Sequence, residues 1–393
     1  MPLERLARSV LFGDLELTGL TYQHGINRLA CLKTTSFEVC PRCATKASAV
    51  YDKRVVKVSD APLRGRKVVL EITKRRFSCP ACRKVFTEPV EGVAKGQRTT
   101  RRLRREILWA CERFTDLKSV RKHVGCSTST LYRVYYEQLE LQSRMRRYPW
   151  PEKIGIDEHR FKKNPEHGRM DFVTVVADHK AKRLFEVVEG RSKDDLSAGL
   201  LAIPGRENVR WATIDLSTTY RSFVTSFFPN ARIVADHFHV VRLLHPVINR
   251  KRKEITGDDR KNPIRKLLLS SATRLDFFKR SAIHRWLADH PEMRELYHAK
   301  EALHGFYRIK GVARAAKALT KMTDRFGRST APEIRALRRT LLSWRREILA
   351  YFETGLSNGR VEGFNGKAKL VRMRAYGYRS FKNYRLRLLN ACA

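Results

Sequence analysis

Two short stretches, "CPRC" at Cys40 and Cys43 and "CPAC" at Cys79 and Cys82, constrain this chain more than any other feature. A disulfide framework is a poor reading of them, because dense disulfides belong to small secreted domains and this chain has 393 residues. Four thiolates in paired C-x2-C spacing suit tetrahedral zinc, each pair forming a knuckle at the end of a hairpin. A thioredoxin-like redox centre needs only one pair, and four protein ligands leave no open position for catalysis at the metal. One structural Zn²⁺ held by Cys40, Cys43, Cys79 and Cys82 is therefore expected. It would supply folding free energy on the order of 10 kcal/mol to a basic segment with little core of its own. The β-branched runs "AVYDKRVVKVSD" and "GRKVVLEITKRRFSCP" between the pairs predict an elongated hairpin. Cys31, Cys111, Cys126 and Cys392 are scattered and are read as reduced, without an assigned role.

A formal net charge of +41 implies a polyanionic partner, and nucleic acid is the default. With 42% hydrophobic residues the chain can bury real cores. It has no run of about 20 apolar residues and no signal-peptide core, so a soluble, cytoplasmic protein is expected. Residues 1–34, an amphipathic opening followed by turn material, form a leader to which no chemistry is assigned. Residues 35–92 are read as the zinc ribbon.

Residues 93–149 change character, becoming strongly basic and helical. "LKSVRKHVGCSTSTLYRVYYEQL" places Leu117, Val120 and Val124 on one stripe, breaks at Gly125, and restarts with Ser127 as a cap. This pattern predicts a helix-turn-helix. Ser127, Thr128, Ser129, Thr130 and Arg133 on its second helix would meet DNA, beside Arg101, Arg102, Arg104 and Arg105 in "RTTRRLRR". An ordinary helical hairpin would share this pattern.

From Trp150 the pattern turns to strands: "KIGIDEHRF", "DFVTVVADH", "RLFEVVEGR", "RWATIDLS" and "ARIVADHFH". The first three follow at hairpin spacing, while helical segments separate the later ones. A meander followed by β-α-β alternation predicts a mixed sheet with helices against it. Residues 240–356 contain no convincing strand and read as a helical block. The closing stretch 357–393 holds nine Lys or Arg and one acid, Glu362.

Asp157 and Asp215 are each expected where an apolar strand emerges, so the sheet could set them side by side. Paired carboxylates oppose joint ionisation unless cations hold them. Mg²⁺ or Mn²⁺ meets that need, and two such ions suit in-line phosphoryl transfer. Glu362 is the third acid if its helix crosses the sheet, with Arg360, Lys367, Lys369, Arg372 and Arg374 contacting phosphates. Asp236 competes with Asp215 for second place, and Glu158 and His159 are adjacent candidates. His237 and His239, read as neighbours on one strand face, lack a third soft ligand and are assigned a structural or DNA-contacting role.

"IGIDEHRFKK", "ATIDLSTTYRSFVTSFFPNARIVADHFHVVRLL" and "SNGRVEGFNGKAKLVRMRAYGYRSFKNYRLRLL" resemble bacterial insertion-sequence transposases of the ISL3 type over roughly residues 38 to 393. The resemblance implies a multidomain α+β protein. Its parts would be a zinc ribbon, a helix-turn-helix, and a ribonuclease-H-like DDE catalytic domain (150–239 and 357–393) interrupted by an all-α insertion (240–356). It also implies a catalytic triad of Asp157, Asp215 and Glu362 with two Mg²⁺ or Mn²⁺ ions. The partners would be double-stranded DNA, as the terminal inverted repeats of a mobile element and its target, and further copies of the chain in a homodimer or larger assembly. A non-enzymatic DNA-binding regulator, with the acids as mere caps, is the alternative. A structure-specific nuclease of the same fold is a second.

Overall fold

A computed structural model describes residues 13–114, 116–146, 148–163, 170–257 and 262–393. It divides into two compact units, the first running to Arg144 and including Arg374–Tyr376, the second comprising Met145–Met373 with Gly377–Ala393.

In the first unit, strands β1 (Leu15–Gln23) and β2 (Ile26–Lys33) form a hairpin, and β2 lies parallel to β6 (Arg66–Ser78). The described part of the expected leader is thus built into this unit's sheet. The long hairpin of β5 (Val50–Leu63) with β6 is the elongated one expected between the cysteine pairs. Its turn residues Arg64 and Gly65 both have positive φ, 49° and 73°, the geometry that matches a two-residue turn to strand twist. Leu29, Cys31, Val58, Leu70 and Ile72 bury the core beneath. The short hairpin of β3 (Glu38–Val39) and β4 (Lys46–Ala47) carries the first cysteine pair. The second pair lies between β6 and β7 (Val85–Thr87).

Among the described residues, three helices complete the unit: α1 (Arg101–Arg113), α2 (Leu117–Val124) and α3 (Thr128–Met145). Asp116 caps α2 by accepting the Ser119 N–H at 2.9 Å. Gly125 ends the helix in the left-handed conformation at φ 65°, as its position after the last apolar residue requires. Ser127 then accepts the Thr130 N–H at 3.2 Å and starts α3.

The second unit is built on a sheet of β8 (Lys153–Lys163), β9 (Met170–Asp178), β10 (Arg183–Glu189), β11 (Trp211–Ile214) and β12 (Arg232–Ala235). The strand order is β10-β9-β8-β11-β12. The first three strands run antiparallel, whereas β11 and β12 run parallel to β8. The meander and the placement of the fourth strand beside the first are as expected.

Period-2 alternation sends the residues of β8 to two cores. Ile154 and Ile156 join Val176, Ile214, Tyr220 and Phe223 on the face covered by α4 (Lys193–Leu200) and α5 (Thr218–Phe227). Phe161 joins Val173, Val175, Val361, Phe364 and Tyr384 on the other. That face is covered by α14 (Gly359–Arg374) and α15 (Phe381–Ala391).

Between α5 and α14 lie α6 (His237–Val241), α7 (His245–Thr256), α8 (Pro263–Leu269), α9 (Phe277–Asp289) and α10 (Pro291–Phe306). They are followed by α11 (Val312–Gly327), α12 (Pro332–Ser343) and α13 (Arg345–Thr354). Among the described residues of 240–356 there is no strand. No helix among the described residues is long and apolar enough to cross a membrane.

Two local expectations are corrected. Asp157 does not end a strand, because β8 runs on to Lys163. It lies where β8 loses its parallel partner: pairing with β11 stops at Gly155, while pairing with β9 continues to Lys163. Nor do His237 and His239 share a strand face. β12 stops at Ala235, and the Asp236 carbonyl accepts the N–H groups of His239 and Val240 at 3.1 and 3.2 Å, which turns the chain into α6.

Candidate functional site

The first unit gathers the four cysteines. All four sulfurs lie within 4.8 Å of one another, with Cys40 Sγ 3.6 Å from Cys82 Sγ and Cys43 Sγ 3.4 Å from Cys79 Sγ. The two knuckles repeat one backbone design. Ala44 N–H bonds the Cys40 carbonyl at 2.9 Å, and Arg83 N–H bonds the Cys79 carbonyl at 3.0 Å. Ala44 and Arg83 hold nearly identical positive φ values, 57° and 56°. The Thr45 hydroxyl and backbone N–H, followed by Cys79, draw the Cys43 thiol down to about 6. Soft donors in tetrahedral number fit Zn²⁺.

Of the basic residues of this unit expected at DNA, Arg102 and Arg104 have acidic partners. Arg102 pairs with the buried carboxylate of Asp60, and Arg104 with Glu137 at 2.8 Å. Arg101, Arg105 and Arg133 are exposed, as are Ser127, Thr128 and Ser129, while Thr130 is half-buried. Ser127 also works as the cap of α3.

In the second unit, the residues of β8 at 155, 157, 159 and 161 face α14 and α15. Asp157 is mostly buried there. Its Oδ1 accepts the Glu158 N–H at 2.8 Å, and its Oδ2 accepts Asn365 Nδ2 at 2.9 Å. Glu158 turns the other way, tied by the Tyr220 hydroxyl at 2.7 Å and by Arg191 at 3.0 Å. Asp215 follows β11, and its Oδ1 is buried without a hydrogen-bond partner. Asp236 is 2% exposed with both oxygens engaged, accepting Asn358 N–H at 3.0 Å and bonding His239 Nδ1 at 2.9 Å.

Asp157 and Asp215 share one electrostatic environment. Burial pushes the Asp157 carboxyl up to about 6, with the Asp215 and Asp236 charges adding to it and the Glu158 N–H and His239 opposing. Burial also raises Asp215, with Glu158 and Asp236 adding. Burial would raise Asp236 too, but its bonds to His239 and to Asn358 N–H outweigh that and hold it below the usual range. The bond to Asp236 raises His239, and the charges of Asp215 and Asp157 act in the same sense. Two desolvated carboxylates and an orphaned buried carboxylate oxygen fit hard divalent cations.

Glu362 stands in the first turn of α14, its side chain 60% exposed and 3.8 Å from Arg242. Among the described residues only the cysteines form a metal-type cluster within 4.8 Å, so the three acids are not drawn that close. Like charges keep apart when no cation bridges them. Of the cations near Glu362, Arg360 bonds the His179 carbonyl at 2.8 Å and Lys367 the Ala391 carbonyl at 3.2 Å. Arg372 bonds the Arg160 carbonyl, while Lys369 and Arg374 are exposed.

Asn358 holds the start of α14 against the strands. Its Nδ2 donates to the Ile156 carbonyl at 2.9 Å, its Oδ1 accepts the Thr213 hydroxyl, and its N–H reaches Asp236. One residue, through its side chain and its backbone N–H, thus links β8, β11 and the end of β12. Sequence reasoning missed both Asn358 and Asn365. The signal was present: 358, 362 and 365 lie at i, i+4 and i+7, one stripe of a helix.

Comparison with known proteins adds independent findings. A family model described as a transposase, the ISL3 DDE domain, matches residues 154–388. The model "zinc-finger of transposase IS204/IS1001/IS1096/IS1165" matches residues 36–82. The helix-turn-helix domain of transposase family ISL3 matches residues 88–138. The transposase for insertion sequence element IS1001 of Bordetella parapertussis is 24% identical over 371 residues, covering 90% of this chain and 89% of its own. The transposase for insertion sequence element IS1557 of Mycobacterium tuberculosis is 27% identical over 272 residues, covering 61% of this chain and 60% of its own.

Proposed function

The chain belongs to the ISL3 family of insertion-sequence transposases, and we propose that Asp157, Asp215 and Glu362 are its catalytic carboxylates, acting on DNA ends through divalent metal. The observation that carries this reading is the pair of desolvated acids, Asp157 and Asp215, beside the helix that bears Glu362. Asp215 is preferred over Asp236 because an Asp215 oxygen is buried without a partner, whereas Asp236 is 2% exposed and is committed to His239 and to the start of α14. The non-enzymatic regulator reading has no support.

Asp157, Asp215 and Glu362 would hold two Mg²⁺ or Mn²⁺ ions, which supply Lewis-acid polarisation of the phosphodiester oxygens when bound. Burial keeps the two aspartates poorly hydrated, so they favour a cation over water. Glu362 is exposed and only loosely paired with Arg242, so it is free to turn inward. Exposed Lys369 and Arg374 would steady the DNA backbone beside it.

Water adds to phosphorus at the element end, and the departing oxygen becomes a 3′ hydroxyl. That hydroxyl then attacks a target phosphodiester in line, releasing a target 3′ oxygen, with no covalent bond to the enzyme. The ribbon (35–92) and helix-turn-helix (93–149) would recognise the terminal inverted repeats. Joining two ends calls for a homodimer or larger assembly.

The test is nicking of a duplex carrying the element's terminal repeat. Asp157→Asn, Asp215→Asn and Glu362→Gln should each abolish cleavage and leave repeat binding nearly intact. Wild-type cleavage by any one of them removes that residue from the site.

A further inference from the structure

Asp157 is the terminus of a hydrogen-bonded chain that runs away from the proposed site into the C-terminal helix. Asn365 Nδ2 lies 2.9 Å from Asp157 Oδ2, and Asn365 Oδ1 lies 2.9 Å from His159 Nδ1. His159 Nε2 lies 2.5 Å from the Tyr384 hydroxyl. The four residues come from β8, α14 and α15, which share one apolar core with Phe161, Phe364 and Leu388.

The carboxylate at one end fixes the direction of every link. An ionised carboxylate only accepts, so Asn365 must present its amide nitrogen to Asp157 and its oxygen to His159. His159 must then donate from Nδ1, which leaves Nε2 as the acceptor of the Tyr384 proton. Each partner suits its role. His159 has one partner for each ring nitrogen, an acceptor at Nδ1 and a donor at Nε2, the arrangement that a neutral imidazole satisfies. Burial raises the Tyr384 phenol, so it keeps the proton it donates.

With Glu158 N–H on Oδ1 and Asn365 on Oδ2, the Asp157 carboxylate is pinned at both oxygens, and each retains one further lone pair. We infer that Asn365, oriented by His159 and Tyr384, is a positioning residue that fixes which lone pairs of Asp157 are offered to a divalent cation. The inference rests on the reading of Asp157 as a metal-holding acid. It also explains why Tyr384, on a helix that carries none of the proposed catalytic acids, is fully buried and bonded toward them.

The experiment uses the zinc-loaded full chain and Mn²⁺ as probe, with binding followed by water-proton relaxation and no DNA present. Asn365→Leu conserves volume and removes the donor, and Tyr384→Phe keeps the ring and removes the far end of the chain. Asn365→Leu should raise the Mn²⁺ half-saturation concentration about 10- to 100-fold, the usual effect of losing a partner that orients a ligand. Tyr384→Phe should shift it in the same direction by less. Repeat binding should stay unchanged in both.

Asp157→Asn serves as the reference. If it abolishes Mn²⁺ binding while Asn365→Leu leaves the half-saturation at the wild-type value, the positioning role is overturned and Asn365 merely packs α14. If Asp157→Asn itself binds Mn²⁺ like the wild type, the metal-site reading falls, and the positioning role falls with it.

Discussion

Asp157 shows how a buried acid can oppose the fold that contains it. Its carboxyl titrates at about 6, raised from 3.8 mainly by burial. Between those values the folded state holds a proton that the unfolded chain has released. Stability contributed by the neutral acid is therefore present below pH 4 and lost as pH rises to 6. At about 1.4 kcal/mol per pKa unit, the ionised form weakens the metal-free fold by on the order of 1–3 kcal/mol at neutral pH. Asp157→Asn, measured by urea unfolding at pH 7.5 without added Mg²⁺, should thus be more stable than the wild type by roughly that amount. At pH 4 the difference should shrink toward zero. An equal or lower stability at pH 7.5 would show that the site does not desolvate this acid. In the expected outcome the substitution loses activity while gaining stability, the trade expected where function strains a fold.

At the scale of elements, the contact between β8 and α14 decides where Glu362 stands, and Gly155 makes that contact possible. A Cβ at this position would fall 2.7 Å from Val361 Cγ2, 2.8 Å from His179 Nε2 and 2.9 Å from Asn358 Oδ1. Gly155→Ala should push the start of α14 off the sheet and cost about 1–3 kcal/mol, as overpacking does. Thermal unfolding would register that loss, and nicking should fall much further than repeat binding; equal losses in both would argue against a local displacement. The strands themselves were legible in sequence, because a sheet covered on both faces writes apolar runs between turn residues. The reason for the glycine in "KIGID" was not, since the atoms it makes room for belong to α14, far along the chain. The extent of β8 was hidden for a related reason: one edge loses its parallel partner at Gly155 while the other stays paired, and a single strand's pattern does not report its two edges separately. The turn into α6 escaped notice because "ARIVADHFH" stays apolar across the point where the strand becomes a helix. β1 and β2 were missed because their hairpin joins the rest of the sheet only through β6, beyond the ribbon knuckle.

At the scale of the molecule, two compact units carry separate hydrophobic cores and separate kinds of metal-type donor. The first unit's sulfur cluster sits against Phe77 and Phe86, where a small core depends on the ion for much of its folding energy. The second unit's carboxylates stand beside an extensive core that runs from Trp150 to Ile348, large enough that folding without an ion is expected. Scanning calorimetry of the full chain should therefore resolve two transitions. Cys40→Ser should lower the zinc content toward zero and remove or sharply lower one transition, leaving the other in place. Saturating Mg²⁺ should raise only the transition that survives Cys40→Ser, by a shift equivalent to about 2.7 kcal/mol at one hundred times the dissociation constant. Asp157→Asn should erase that Mg²⁺ shift. One transition that moves with both metals would mean that the units unfold together, and the division of labour between a zinc-held reader of DNA and a carboxylate-bearing second unit would have to be abandoned.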